Sequence, residues 1–310
     1  ADRIRRAFGS GRKDVADADI KAKGQSGGDL LRHKRIKVAL IAMIFGVVSG
    51  YIEMPLPAED YYSAVRAKLR TRPAPQDIVL VSVDHTTLNE LGKPLPSRRD
   101  DGQLLDRLFA SGVEKIVWDR AHADPSNTAD DVEFARALDR HKGKVWLGML
   151  PAGASGLSSS ETYAPLPMFR DRASLASMLG TMAPFELTVV FETWVEQDGK
   201  IYPAISSVLG GYTGSAARYR PDYAFNPLTI PSYSYIDVLR GRVSAENFVG
   251  KKVIIGKTFI DESDIFRHPI YGKLPGAMFH ILGAHTLKRG TPVDLMWYPA
   301  MALAAAAVLM

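Results

Sequence analysis

Asp77-Ile-Val-Leu-Val-Ser-Val-Asp84 is a nearly continuous apolar run closed at each end by an aspartate. A strand with one wet face alternates apolar and polar residues. A run that is apolar at both parities must be buried on both faces, which needs further layers above and below it. The pattern recurs at Lys115-Ile-Val-Trp-Asp119, at Lys144–Met149 and at Lys252–Gly256. Helical segments lie between these runs. Asp100 and Asp101 are placed to cap a helix carrying Leu104, Leu105, Leu108 and Phe109, with Gly112 as its stop. Asn127 or Thr128 caps another through Phe134 and Leu138, with acids in its first turn and Gly143 beyond it. Strands alternating with helices predict parallel β-α-β units with right-handed crossovers, so the expected fold class is α/β with a mostly parallel sheet.

The rest of the chain is less regular. Glu59 to Arg70 reads as a helix, with Tyr62, Val65 and Leu69 forming an apolar stripe and Pro73 and Pro75 ending it. Pro151 to Ser160 has the composition of a flexible loop. Leu187–Val195 and Lys200–Tyr202 flank Gln197-Asp198-Gly199, a hairpin signal. Six of the twelve tyrosines fall between Tyr202 and Tyr235, either packed under a long excursion or lining an aromatic groove. Ser234–Arg240 reads as a short helix, and Pro275–Arg289 as the last one, with Gly290 past its end.

Two uncharged runs bracket this region. Val38 to Ile52 is fifteen residues long, and Leu295 to Met310 is a second such run with Trp297 and Tyr298 near its start. A bilayer core needs about 20 apolar residues, and Lys37 and Met54 extend the first run toward that length. A signal peptide is a poorer fit, because 37 residues precede the run and no Ala-x-Ala site follows. A buried core helix is the remaining alternative. The expectation is a membrane helix at 38–54 and the start of a second at 293–310, with the protein continuing beyond Met310.

Charge supports this topology. The net charge is +5 over the chain, yet residues 1–37 alone carry +6 and the remainder is close to neutral. A basic tail against an apolar run places the N-terminus in the cytoplasm and residues 55–290 outside; Lys288 and Arg289, on the outer side, weigh mildly against it. The tail lacks interleaved aromatics, so nucleic acid is not an expected partner and the lipid bilayer is. The absence of cysteine excludes disulfides and thiolate chemistry.

Several stations along residues 55–290 resemble the CHASE2 domain of bacterial receptors, in the family's order. They are the helix ending Arg66-Ala-Lys-Leu-Arg70, the run Asp77–Asp84 with Leu88 and Leu91-Gly92, and Gly112-Val-Glu-Lys-Ile-Val-Trp-Asp119. They continue with Gln197-Asp198-Gly199, Gly250–Gly256, Asp264, and Pro275-Gly276. The chain departs from the pattern where the family's Trp-Pro-Trp-Pro-Arg run becomes Lys93-Pro94-Leu95-Pro96-Ser97-Arg98, and where His268-Pro269 and His280-Ile281 replace Thr-Pro and His-Ala. The resemblance implies an extracytoplasmic sensor in the bacterial inner membrane. It would relay an unknown signal or small molecule to a cytoplasmic cyclase, cyclic-di-GMP enzyme or kinase absent from this chain, and it is expected to act as a homodimer.

In open α/β sheets, ligands bind beyond the carboxyl ends of the strands. That edge gathers Asp84, His85, Asp119, Arg120, His122 and Thr258, with Asp264 able to fold over it and Arg98 starting the next helix. These eight residues are the candidate ligand contacts. The competing reading is structural: Asp84 and Asp119 cap loops and pair with Arg98 or Arg120. Asp119, His122 and Asp124 fall short of a metal site by at least one ligand, and His280 and His285 are five apart rather than three or four, so no metal or cofactor is expected. Nucleophile, phosphate-loop and dinucleotide motifs are missing, so no catalytic residue is assigned. A membrane-anchored enzyme using the Asp84/Asp119 edge and a ligand-free two-span scaffold are the rival readings.

Overall fold

The computed structural model describes residues 34–48, 56–154, 161–182, 188–259, 264–291, 301–303 and 306. The basic tail before residue 34, residues 49–55 of the first apolar region, the loop 155–160, Leu187, and most of 292–310 lie outside the described residues. Ala1–Leu56 with Val293–Met310 separate from Pro57–Pro292 as two units. In the first unit, residues 34–48 form a helix (α1) that exposes Ile36, Val38, Ile41, Ile44, Phe45 and Val48. Among the described residues, no helix is long and apolar enough to cross a membrane.

The second unit opens with α2 (Leu56–Leu69), β1 (Arg72–Pro73) and β2 (Ile78–Val83). It continues through α3 (His85–Leu91), α4 (Arg98–Ala110), β3 (Lys115–Trp118), α5 (Thr128–Arg140) and β4 (Val145–Met149). After α6 (Pro167–Arg170) come β5 (Ser174–Ser177), β6 (Gly180–Met182), β7 (Val189–Glu192), β8 (Trp194–Gln197), β9 (Lys200–Pro203) and α7 (Ile205–Gly210). The remainder is β10 (Arg218–Tyr219), β11 (Phe225–Asn226), β12 (Ser232–Ser234), α8 (Tyr235–Leu239), β13 (Lys252–Lys257), β14 (Ile265–His268), β15 (Gly272–Pro275) and α9 (Gly276–Leu287).

The central sheet has the order β12-β2-β13-β3-β4-β5, and every neighbouring pair is parallel. The apolar runs explain its position. Val79, Val81 and Val83 of β2 face a core with Leu104, Leu105 and Leu108 of α4 and Phe134 and Leu138 of α5. Ile78 and Leu80 point the other way, onto Ile205 and Leu209 of α7 and Ile281 and Leu282 of α9. Two helical layers therefore sandwich the sheet, as burial on both faces requires. A third cluster, around Phe191, Tyr219, Tyr223 and Phe279, sits under the small antiparallel sheet β10-β7-β6 and the β14–β15 hairpin. Tyr219, Tyr223 and Tyr235 are buried in packing.

Some expected elements differ in detail. The chain crosses from β2 to β3 past an empty position, and β13, the last strand of this sheet in sequence, fills it. The expected turn at Asp198-Gly199 forms with both residues at positive φ, as a tight hairpin between β8 and β9 requires. On α2 the expected stripe faces outward: Val65 is 42% and Leu69 83% exposed, while Ala67 is the residue that docks on the domain. The segment after Asp84, for which no element was expected, is helical (α3).

Candidate functional site

The carboxyl edge of the sheet does not hold one cluster of the eight candidate residues. It splits them into three groups, because successive residues of a strand point to opposite faces.

The first group lies at the start of α3. Asp84 caps α3: its Oδ1 accepts from the Thr87 amide and hydroxyl and from the Ser234 hydroxyl, each at 2.8 Å. His85 is exposed with its ring 6.0 Å from Phe259, and the Thr258 amide donates to the Val83 carbonyl at 3.1 Å. The structure brings Asp84 to neither Arg98 nor Arg120.

The second group lies on the α4/α5 face, around an acid that was expected only as a helix cap. The cap of α4 is Ser97. Its hydroxyl accepts from the Asp100 amide at 3.2 Å, and Asp100 Oδ2 accepts from the Ser97 amide at 2.9 Å, a reciprocal capping box. That starts the helix early enough to turn Asp101 inward on the same face as Leu104, Leu105 and Leu108. Ser97-x-x-Asp100 was the available clue. Asp101 is fully buried and accepts from Tyr235 Oη at 2.9 Å, His122 Nε2 at 3.2 Å and Arg120 Nη1 at 3.3 Å, with Arg98 Nη1 at 3.8 Å. Burial pushes its carboxyl up, but the Arg120 charge, the His122 hydrogen bond and Arg98 together hold it below the usual range.

His122 is caged by Trp118 and stacked on Phe134, with ring centroids 4.9 Å away in both cases. Burial lowers its pKa to about 4, so the ring is neutral at ordinary pH. Both ring nitrogens face acceptors, Asp101 Oδ2 and the Arg120 carbonyl, each at 3.2 Å. A neutral ring carries one N–H, and the carboxylate is the stronger acceptor, so the proton sits on Nε2. The backbone of His122 is held at φ 54°, a left-handed conformation a non-glycine residue keeps only when its surroundings impose it.

Arg98 is the second guanidinium of this group. Its side chain is 5% exposed, Nη2 donates to the Asp124 carbonyl at 3.2 Å, and Asp131 lies 3.6 Å from Nε. Nε and Nη1 are buried without a hydrogen-bond partner. Asp131 is itself held by the Ser126 hydroxyl at 2.7 Å and amide at 3.0 Å. A cavity of about 480 Å³ opens beside Arg98 and Arg120, walled by Pro94, Leu95, Asp124 and Tyr163. The whole of Lys93–Arg98 lines it.

The third group lies on the opposite face. Asp119, one residue past β3, points toward α9, where His280 Nε2 is 3.7 Å from Asp119 Oδ1, too far for a hydrogen bond. Asp119 Oδ2 is buried without a hydrogen-bond partner, and the His280 ring lies beside the Met178 backbone. Burial, then the nearby Asp264 charge, push the Asp119 carboxyl well above its ordinary value, so it is a neutral acid over a wide range. Burial lowers His280 to about 3. Asp119 therefore pairs with neither arginine, and Asp119 and His122 sit on opposite faces. No group of three or more acidic or imidazole side chains fit to hold a metal occurs among the described residues.

In the comparison by family, residues 38–310 match the CHASE2 domain. The chain belongs to the CHASE2 family. CHASE2 domains are sensor domains, typically the extracytoplasmic part of membrane receptors. No curated protein and no solved structure matches the chain. In this CHASE2 domain Lys93–Arg98, one of the three places where the chain departs from the resembled pattern, lines the cavity.

Proposed function

We propose that this CHASE2 domain is the small-molecule sensor of a bacterial transmembrane receptor. It is anchored in the inner membrane by its two apolar runs, with residues 55–290 outside, and it relays its state to a cytoplasmic cyclase, cyclic-di-GMP enzyme or kinase. The observation that carries the reading is the cavity at the carboxyl edge, with the buried Arg98 guanidinium and the partly exposed Arg120 on its wall. The apolar surface of α1 supports a lipid environment for that helix.

The segment 119–122 supplies a route for the signal. Arg120 and His122 meet the cavity, and Asp119 meets His280 on α9, after which the chain enters the second apolar run. A ligand that favours one setting of this segment shifts the population of the receptor by its differential affinity and no more. Pairing of two chains belongs to the same reading. Tyr61, Val65 and Leu69, four residues apart and exposed on one face of α2, support it.

Two measurements test the proposal. The chain has no cysteine, so Gln103→Cys and Ser10→Cys serve as single labels. A membrane-impermeant maleimide on intact spheroplasts is expected to label the first and spare the second, and the reverse pattern sinks the topology. Separately, the low-molecular-weight fraction of spent culture medium should raise the Tm of the purified full chain by mass action and leave Arg120→Ala unmoved. Equal response of both proteins, or none, removes the cavity as the sensory site.

A further inference from the structure

The cavity carries both signs of charge on adjoining walls. On one wall, Arg98 Nε and Nη1 make no hydrogen bond but lie 3.6 Å from Asp131 and 3.8 Å from Asp101, and Arg120 commits Nη1 to Asp101 while its side chain remains 26% exposed. A guanidinium has five N–H donors in a planar fork shaped for a carboxylate. On the other wall stands Asp124. Its Oδ2 accepts from Tyr163 Oη at 3.3 Å, and it makes no ion pair among the described residues. The remaining acid of the wall, Asp130, is paired with Arg99 at 3.1 Å. The two walls are close, because Arg98 Nη2 holds the Asp124 main-chain carbonyl at 3.2 Å. Pro94, Leu95 and Pro96 complete the lining with apolar surface.

A simple anion entering here would satisfy the guanidinium groups and meet the Asp124 charge. A simple cation would satisfy Asp124 and meet two arginines. A molecule with a carboxylate and an ammonium a few bonds apart answers both walls at once, and a charge left without its counterpart in a partly dry site is costly. The volume of about 480 Å³ is in the range of small-molecule sites. We propose that the cavity binds a small zwitterion of the amino-acid type, its carboxylate on Arg120 beside Arg98, its ammonium on Asp124 and Tyr163, and its remainder against Pro94–Pro96. This inference rests on the cavity being the sensory site and names its ligand class.

The test is thermal unfolding and titration calorimetry on the purified full chain in detergent. The probes are glycine, leucine, glutamate, lysine and glycine betaine, with acetate and inorganic phosphate as anion arms and ethylamine as the cation arm. At least one zwitterion is expected to bind saturably while acetate, phosphate and ethylamine do not. Arg120→Ala and Asp124→Asn should each weaken that binding at least about tenfold, the loss expected for a hydrogen bond to a charged group. Tyr163→Phe, at a residue 38% exposed, should weaken it less and serves if either charge variant fails to fold. Binding of acetate or phosphate as tight as any zwitterion, unaffected by Asp124→Asn, overturns the proposal in favour of an anion site. Silence from every defined probe overturns it too. If the medium fraction still stabilises the wild type and not Arg120→Ala, only the ligand class has failed and the sensor reading stands.

Discussion

Asp101 with His122 and Asp119 with His280 lie on opposite faces of the same sheet near the end of β3; the Asp101 side chain is fully buried and that of Asp119 nearly so. Their states are opposite. Asp101 accepts three hydrogen bonds and has two guanidinium groups beside it, so it stays ionised in the interior. Asp119 has a second acid nearby and a histidine 3.7 Å off, so it stays protonated. Burial is common to both; the number and sign of the partners decides the charge. The ionised acid holds two arginines at a cavity, and the neutral one sits in the contact between β3 and α9, where a change of protonation has consequences for packing.

The largest expected effect comes from removing the satisfied acid. Asp101→Ala leaves Arg98 and Arg120 without their shared counter-ion and should cost about 3–5 kcal/mol in urea unfolding followed by tryptophan fluorescence. A loss below about 1 kcal/mol would show that the network carries little net stability and would break the comparison.

Acid titration is the next lever. His122 has a folded pKa of about 4 against 6.5 unfolded, a depressed value, so its contribution is complete above 6.5 and is lost as pH falls toward 4. By linkage that is of order 3 kcal/mol. His122→Gln should flatten the fall of Tm over this window. Asp119 runs the other way. Its folded pKa is raised, so its contribution is complete below 3.8 and is lost as pH rises through the folded value. Asp119→Asn should therefore match the wild type in acid and gain on it toward alkaline pH. An equal offset at every pH would mean that Asp119 does not change charge.

Tightness around Asp119 is tested by Gly256→Ala. A Cβ there would stand 2.8 Å from the Ala277 Cβ and 3.3 Å from the Asp119 Cβ, so β13 and α9 must part. About 1–3 kcal/mol of destabilisation is expected from chemical unfolding, and a neutral result would show that this face yields readily. The smallest effect belongs to Asp84, the other strand-end acid. Asp84→Ala removes the cap of α3 and should cost about 1 kcal/mol in the same unfolding assay without altering ligand response.

Much of the frame was legible from local patterns. Apolar runs at both parities announced β2, β3, β4 and β13, and Asn127 marked a helix start where the structure has it, whereas α9 ends at Leu287, short of Gly290. The outward turn of Val65 and Leu69 was not legible, because an apolar stripe states that a face prefers burial without stating what covers it. Asp101 was hidden by its type. An aspartate near a helix start reads as a cap, and only the Ser97–Asp100 capping box shows that the cap is already supplied.

By itself, the sequence determined that a doubly covered parallel sheet would form, which residues would end its strands, and that the chain resembles CHASE2. Those properties depend on neighbours a few residues apart. The tertiary structure decided that β13 enters between β2 and β3, and that Asp119 and His122, three positions apart, face different layers. It also decided which arginines meet Asp101. Strand order and the charge of a buried acid depend on groups distant in the chain, and only the packed fold sets their distances.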